Sequence, residues 1–182
     1  TTEIPEAIPS PTLNQDNPDN AIPPTQEGEN GQETADARES ADTSAAVQPE
    51  LNFTEDSQML WPVNGQVVID YSMDATTYFP TLDQYKYNDA LMLGCESGEP
   101  VQAAANGQVV SISEDVETGT TMVMDLGNGY QATYGQLKDI TVEPGQTVES
   151  GTILGYVSDP TKYYVKEGAN LYFAMTKDGN PI

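Results

Sequence analysis

The stretch YNDALMLGCESGEPVQAAANGQVV, residues 87–110, decides the fold of this chain. Its second half holds the turn sequence Gly98-Glu99-Pro100-Val101 and leads into residues 107–113, where Val110 and Ile112 alternate with serines. An alternation of period two predicts a half-buried β-strand.

Further strand-like runs follow this stretch and precede it. They occupy residues 66–71, 121–126, 130–134, 151–157 and 171–176. Turn signals lie between or after them, at Gly127-Asn128-Gly129, Pro144-Gly145 and Asp178-Gly179. No stretch keeps a helical period for three turns, so the sequence predicts an antiparallel all-β domain of many short strands.

Composition excludes several classes of function. Of 182 residues, 29 are acidic and 6 are basic, which gives a net charge of -23. Such a surface repels nucleic acid and anionic lipid headgroups, so neither is expected as a partner. The single cysteine, Cys95, excludes an intramolecular disulfide and a thiolate-rich zinc site. Because there is no histidine, imidazole can serve neither as a general base nor as a metal ligand.

The chain divides in two by composition. Residues 1–58 are polar, acidic and rich in proline, and are predicted to form a disordered linker, with an acidic docking segment as the alternative. Trp61-Pro62 marks the start of regular apolar patterning, so residues 59–182 are predicted to form one β domain. No run of 18 apolar residues is present, and a membrane anchor is expected only ahead of Thr1.

Several separated motifs share one family resemblance. They are Trp61-Pro62, Gly98-x-Pro100-Val101, Gly127-Asn128-Gly129-Tyr130, Tyr134-x-Gln136-Leu137, Pro144-Gly145-Gln146 and Leu171-x-Phe173. Together they resemble the LytM or lysostaphin-type (M23) zinc endopeptidases of bacterial cell walls, which implies that family's antiparallel, barrel-sandwich-like β-sheet fold over about residues 61–182. The Pro144-Gly145 block also occurs in lipoyl and biotinyl carrier domains, but those need a lysine at a hairpin tip, and Gly127-Asn128-Gly129 has none.

The resemblance also implies where the catalytic machinery would lie. The family's three zinc ligands fall on Asn88, Met92 and Tyr172, and its two assisting histidines fall on Gln136 and Asn170. Neutral amides, a phenol and a thioether do not generate a zinc-bound hydroxide. A slip of Asp89 into the place of Asn88 would turn the strand over and still supply only one carboxylate. A copper site at Met92 and Cys95 is possible, although buried Met and Cys are ordinary core residues. We therefore expect no metal, no cofactor and no catalysis.

Function is expected to have moved from hydrolysis to binding. Tyr87 and Tyr134 are predicted to lie along the former substrate groove, where tyrosines and amides could hold a peptide; the alternative is that the groove residues have drifted and bind nothing. Metal-less members of the family act as scaffolds. We therefore expect an extracytoplasmic domain at the bacterial cell surface or in an intermembrane space. It would bind a protein partner in sporulation, division or wall remodelling. Binding of peptidoglycan peptides is the alternative, and an active wall endopeptidase is disfavoured.

Overall fold

The computed structural model describes residues 48–182, and every regular element in that part of the chain is a β-strand. The strands are β1 (Gln66–Ile69), β2 (Ser72–Phe79), β3 (Gln84–Asn88), β4 (Leu91–Gly94), β5 (Pro100–Gln102), β6 (Gly107–Asp115), β7 (Gly119–Gly127), β8 (Tyr130–Lys138), β9 (Thr147–Val148), β10 (Ile153–Val157), β11 (Asn170–Lys177) and β12 (Asn180–Pro181). The prediction of an all-β domain is confirmed. Residues 1–47, most of the predicted disordered linker, lie outside the described residues.

Ten strands form one sheet, and all of its pairings are antiparallel. Its main path runs β1-β4-β11-β8-β7-β6-β9; β10 pairs with β5 and β8, and β12 pairs with β11. Strands β2 and β3 form a separate two-stranded sheet. The order places β4, β11 and β8 side by side in the middle of the fold, although they are far apart in sequence.

The β7–β8 hairpin turns at the Asn-Gly pair as predicted. Asn128 and Gly129 have φ values of 52° and 79°, and Gly127 pairs with Tyr130 across the turn. A two-residue type I′ turn needs positive φ at both central positions, which Asn and Gly tolerate best. The Pro144-Gly145 turn is also present: Gly145 has φ 87°, and the Gln146 amide donates to the Glu143 carbonyl at 3.0 Å.

Apolar side chains pack into two clusters on opposite faces of the central strands. The larger cluster includes Leu93, Tyr134 and Phe173, and the smaller one includes Met92 and Ala174. Because successive side chains of a strand point to opposite faces, β4 and β11 contribute to both.

The folded part of the chain extends before residue 59, where the sequence analysis places the domain boundary. Phe53 is buried in the larger cluster, with its ring 5.1 Å from that of Tyr130. Its amide donates to the Leu126 carbonyl at 3.1 Å. Low local hydrophobicity suggested a linker here. The Phe53 ring, the bond to Leu126 and a hydrogen bond from Asn128 Nδ2 to the Phe53 carbonyl at 3.0 Å nevertheless attach this segment to the β7–β8 hairpin. Within residues 48–182, no helix is long and apolar enough to cross a bilayer.

Candidate functional site

A cleft of about 410 Å³ lies on the sheet face that carries the smaller apolar cluster. It is bordered by β3, β4, β6, β7, β8, β11 and the loop that carries Tyr164. Its lining is mostly polar: Lys86, Asn88, Asp89, Met92, Ser113, Asp115, Glu117, Thr118, Thr121, Thr133, Tyr164 and Tyr172. Three of the five predicted former site positions, Asn88, Met92 and Tyr172, are brought together here.

Asn88 ends β3 with its side chain buried. Its Nδ2 donates to the Asp70 carbonyl at 2.7 Å and to the Ala90 carbonyl at 2.5 Å. Both amide hydrogens are therefore used to hold the loop before β2 against the loop after β3. The Asn88 side chain therefore joins these two loops by hydrogen bonds.

Met92 and Tyr172 are direct neighbours across the β4–β11 pair. Met92 is buried against the smaller cluster, while Tyr172 is half-buried and donates its hydroxyl to Asp89 Oδ1 at 3.3 Å. Burial, followed by the negative charge of Asp89, raises the pKa of the Tyr172 phenol above its ordinary value. The phenol therefore stays protonated at neutral pH and is not an anionic ligand.

Gln136 and Asn170 lie behind the cleft and do not line it. Gln136 Nε2 donates to Asn170 Oδ1 at 2.5 Å, and Gln136 Oε1 accepts from the Thr161 amide at 3.3 Å. Asn170 Nδ2 donates to the Gly168 carbonyl at 2.7 Å. The two amides complete a closed network that joins β8, β11 and the intervening loop.

The expectation that Tyr87 and Tyr134 lie along the groove is not met. Tyr134 is fully buried, and its hydroxyl accepts a hydrogen bond from the Ala104 amide at 3.0 Å. Tyr87 is 58% exposed, but Lys86 and Asn88 are the β3 residues that line the cleft. Strand alternation places Tyr87 on the other face, and this alternation could have been read from the sequence once Asn88 was assigned to the cleft.

Sequence reasoning missed the charged mouth of the cleft. Lys86 Nζ lies 2.8 Å from Glu117 Oε1, which also accepts from the Tyr164 hydroxyl at 3.3 Å. Lys86 Nζ lies 4.7 Å from the centre of the Phe79 ring. Backbone amides of Thr118 and Glu117 donate to Asp115 and lower its carboxyl pKa. The acidic residues at 114–117 could have suggested a charged surface. The sequence alone does not show that they lie opposite Lys86 of β3.

The donor set does not fit the zinc that the family resemblance implies. Zinc prefers thiolate, imidazole and carboxylate ligands, and a catalytic site keeps one position open for water. Here the Asn88 amide hydrogens donate to two carbonyls and the Tyr172 phenol is protonated, so neither presents an anionic or imidazole donor. Within residues 48–182, no three Cys, Asp or Glu side chains are grouped to hold a metal ion.

Cys95 is half-buried after β4, and its thiol donates to the Leu93 carbonyl at 3.3 Å. Burial raises the pKa of this thiol to about 11. A thiol with that pKa is almost entirely protonated at neutral pH, so Cys95 is neither an activated nucleophile nor a ready ligand.

Comparison with known proteins finds matches in sequence and in fold. The chain is 25% identical over 115 residues to the cell division protein DipM of Caulobacter vibrioides, a match that covers 63% of the chain and 18% of DipM. The chain thus spans about a fifth of the length of this relative.

Two solved structures illustrate the fold. The SpoIIQ–SpoIIIAH pore-forming complex matches with a TM-score of 0.59 and 23% identity, over 69% of this chain and 87% of that one. A putative M23 peptidase from Pseudomonas aeruginosa matches with a TM-score of 0.56 and 21% identity, over 72% and 50% of the two chains. The profile described as Peptidase family M23 matches residues 86–182, which is more than half of the sequence. The chain therefore belongs to peptidase family M23.

Proposed function

We propose that this chain is a non-catalytic M23 domain of the bacterial cell envelope. It has lost zinc and hydrolysis and binds a protein partner, as a scaffold or regulator in sporulation, division or wall remodelling. Its location is extracytoplasmic, at the cell surface or in an intermembrane space.

The observation that carries this proposal is the bonding of the five side chains at the former metal and catalytic positions. The side-chain amides of Asn88, Gln136 and Asn170 form hydrogen bonds within the fold. Met92 is part of the smaller apolar cluster, and the Tyr172 phenol keeps its proton. Hydrolysis by this family needs a metal that lowers the pKa of a bound water. The five side chains support the proposal because they contribute to the fold and offer a metal no anionic or imidazole ligand.

Support for a protein partner comes from the family. SpoIIQ, a domain of the same fold, is described in a pore-forming complex with SpoIIIAH. DipM is named as a cell division protein. The fold therefore occurs in assemblies and in division, and retention of a folded domain after loss of catalysis fits a binding role.

Zinc analysis and wall digestion test the absence of catalysis. The purified chain is expected to retain no zinc and to leave the turbidity of purified bacterial walls unchanged, while an active M23 endopeptidase clears them in the same buffer. A triple variant, Asn88→His, Met92→Asp and Tyr172→His, is the matched control. Zinc uptake by this variant alone supports the assigned positions. Stoichiometric zinc and wall clearing by the unaltered chain would overturn the proposal.

Partner binding needs a separate test. The chain is used to capture proteins from detergent-extracted envelopes of its source cells, and each captured protein is purified and titrated against it. Saturable one-to-one binding to an envelope protein is expected. If no purified envelope protein binds saturably, the scaffold function is wrong.

Peptidoglycan-peptide binding is the second candidate, favoured by the polar cleft. Lys86, Asp89 and Glu117 place charges of both signs at its mouth, and stem peptides carry amino and carboxyl groups that could pair with them. Sedimentation with insoluble peptidoglycan separates the two functions. A wall-binding domain is expected to pellet in a salt-dependent manner, whereas a domain specific for a protein partner stays in the supernatant.

A further inference from the structure

A second concave surface lies on the opposite face of β4 and β11 from the cleft. It consists of two adjoining grooves, of about 470 and 410 Å³, which we call the apolar trough. Most of its lining comes from the segment before β1, from β11 and from Ile182. The large apolar side chains in it include Met59, Leu60, Trp61, Phe173, Met175 and Ile182. Met59, Met175 and Ile182 line both grooves, so the trough is continuous.

The position of the trough follows from strand alternation. On β11, Tyr172 faces the cleft, whereas Phe173 and Met175 face the trough. On β4, Met92 faces the cleft and Leu91 faces the trough. A ligand in the trough would therefore lie on the back of the strands that form the cleft floor, and Asp89, in the loop between β3 and β4, lines both surfaces.

The trough exposes large apolar side chains that the fold could have buried. Trp61 is 51% exposed, Met59 is 38% exposed and Ile182 is 52% exposed. Single exposed apolar residues are normal, but contiguous concave apolar surface is uncommon outside binding sites. Trp and Met are also enriched in the centres of protein interfaces.

The charges around the trough select the kind of partner. Asp89 lines one groove and Glu55 lines the other. Among residues 48–182, Lys177 is the one cation that lines either groove, and it is already engaged. Its Nζ donates to the Asn128 carbonyl, lies 4.4 Å from the centre of the Tyr130 ring and lies 3.6 Å from Asp178 Oδ2. The trough is therefore apolar with acidic margins. An anionic lipid surface or a second copy of this acidic chain would meet like charge, whereas lysine or arginine would meet opposite charge.

We propose that the apolar trough binds a basic amphipathic segment of a partner protein, whose bulky apolar side chains enter the two grooves while its Lys or Arg side chains face Asp89 and Glu55. The inference rests on the proposed function and gives it a location: the partner docks on the back of the former catalytic face. The cleft is left free.

Trp61 provides a direct readout, because it is the only tryptophan in the chain and lines the trough. The probe is a synthetic amphipathic Leu/Lys peptide of about 15 residues, roughly four helical turns. Titration into the full chain is expected to give a saturable blue shift of Trp61 fluorescence that weakens with added salt. The same peptide with Glu in place of Lys is expected to produce no shift.

Matched variants separate the trough from general acidity. Met59→Glu places a carboxylate where both grooves meet and is expected to weaken peptide binding by at least about 10-fold, which corresponds to about 1.4 kcal/mol. Val116→Glu adds the same charge at the 70% exposed turn between β6 and β7 and is expected to leave the affinity within about twofold. Ser113→Ala, in the cleft, is also expected to leave it unchanged.

Four outcomes would overturn the inference. They are equal binding of the acidic peptide, normal binding by Met59→Glu, loss of binding in Ser113→Ala, and a Trp61 blue shift with neutral phosphatidylcholine vesicles instead of the peptide. Each leaves the zinc and wall-clearing results untouched. A negative result for the trough is therefore distinguishable from a negative result for the proposed function. The zinc and wall-clearing assays and the titration of purified partner proteins test the proposed function.

Discussion

At the scale of single residues, three of the side chains that the family resemblance assigns to zinc binding and catalysis make buried hydrogen bonds within the fold. Gln136 is one of them: it has φ 60° and its side chain is completely buried. A non-glycine residue in the left-handed region is strained, and such strain persists only where the surroundings hold it in place. The bonds to Asn170 and Thr161 supply that support, so stability now depends on a position that the resemblance assigns to catalysis.

A double-mutant cycle measures this coupling. Gln136→Ala keeps a Cβ, and hence the backbone strain, but leaves Asn170 Oδ1 and the Thr161 amide without their partner. It is expected to lower the free energy of unfolding in urea by about 3 kcal/mol, and Asn170→Ala by a similar amount. The loss of unfolding free energy in the double variant should be about 1–2 kcal/mol smaller than the sum of the losses in the two single variants. Strict additivity would contradict the network.

Tyr134 predicts an alkaline limit to stability. Burial raises the pKa of its phenol above the ordinary 10.0, partly opposed by the hydrogen bond from the Ala104 amide. The folded state therefore keeps a proton that the unfolded state releases above about pH 10. This contribution is fully present below pH 10 and is lost at about 1.4 kcal/mol per pH unit as the pH rises further. Urea unfolding from pH 9 to 11 should show this decline, and Tyr134→Phe should show a shallower one.

At the scale of elements, two-residue alternation explains why one set of strands serves two surfaces. The cleft and the apolar trough share β4 and β11 but use alternate side chains of these strands, so a substitution within a strand on one surface leaves the other in place. Asp89, in the loop before β4, lines both surfaces. Burial of one apolar cluster on each face of these strands fixes this register. A shift of one residue would exchange the two faces.

The β7–β8 turn allows a matched glycine test. Gly127 and Gly98 both have φ 90°, so alanine is strained at either position. At Gly98 nothing lies within 4 Å of the added Cβ, whereas at Gly127 the Cβ would overlap the Leu51 carbonyl oxygen. Gly98→Ala is expected to cost about 1–2 kcal/mol of unfolding free energy, and Gly127→Ala at least about 1 kcal/mol more. Equal costs would mean that the segment around Leu51 does not dock on this hairpin.

At the scale of the whole molecule, the folded unit includes a segment whose composition resembles a linker. Phe53 attaches residues before 59 to the main cluster, and Met59 to Pro62 then form one wall of the apolar trough. The segment before β1 thus contributes both to stability and to the proposed docking surface.

Phe53→Ala tests this attachment in the full chain. Loss of the buried ring is expected to lower the free energy of unfolding by about 3 kcal/mol, while Glu55→Ala, two residues away and exposed, should change it by less than about 0.5 kcal/mol. Chemical denaturation followed by Trp61 fluorescence measures both. If both variants unfold at the same urea concentration, the segment is not part of the cooperative unit.

Local chemistry in the sequence determined the all-β class, the turns at Asn128-Gly129 and Pro144-Gly145, and the family, because alternation and turn preferences act over a few residues. The absence of histidine likewise excluded imidazole chemistry without any structure. Tertiary structure alone decided which side chains meet. It brought Asn88, Met92 and Tyr172 to one cleft and placed Gln136 and Asn170 behind it. It also buried Tyr134 and aligned Lys86 with Glu117. The pairing of β4 with β11 and the docking of Phe53 join residues more than 70 positions apart. Such contacts depend on how whole faces of the sheet pack, and no local pattern in the chain specifies them.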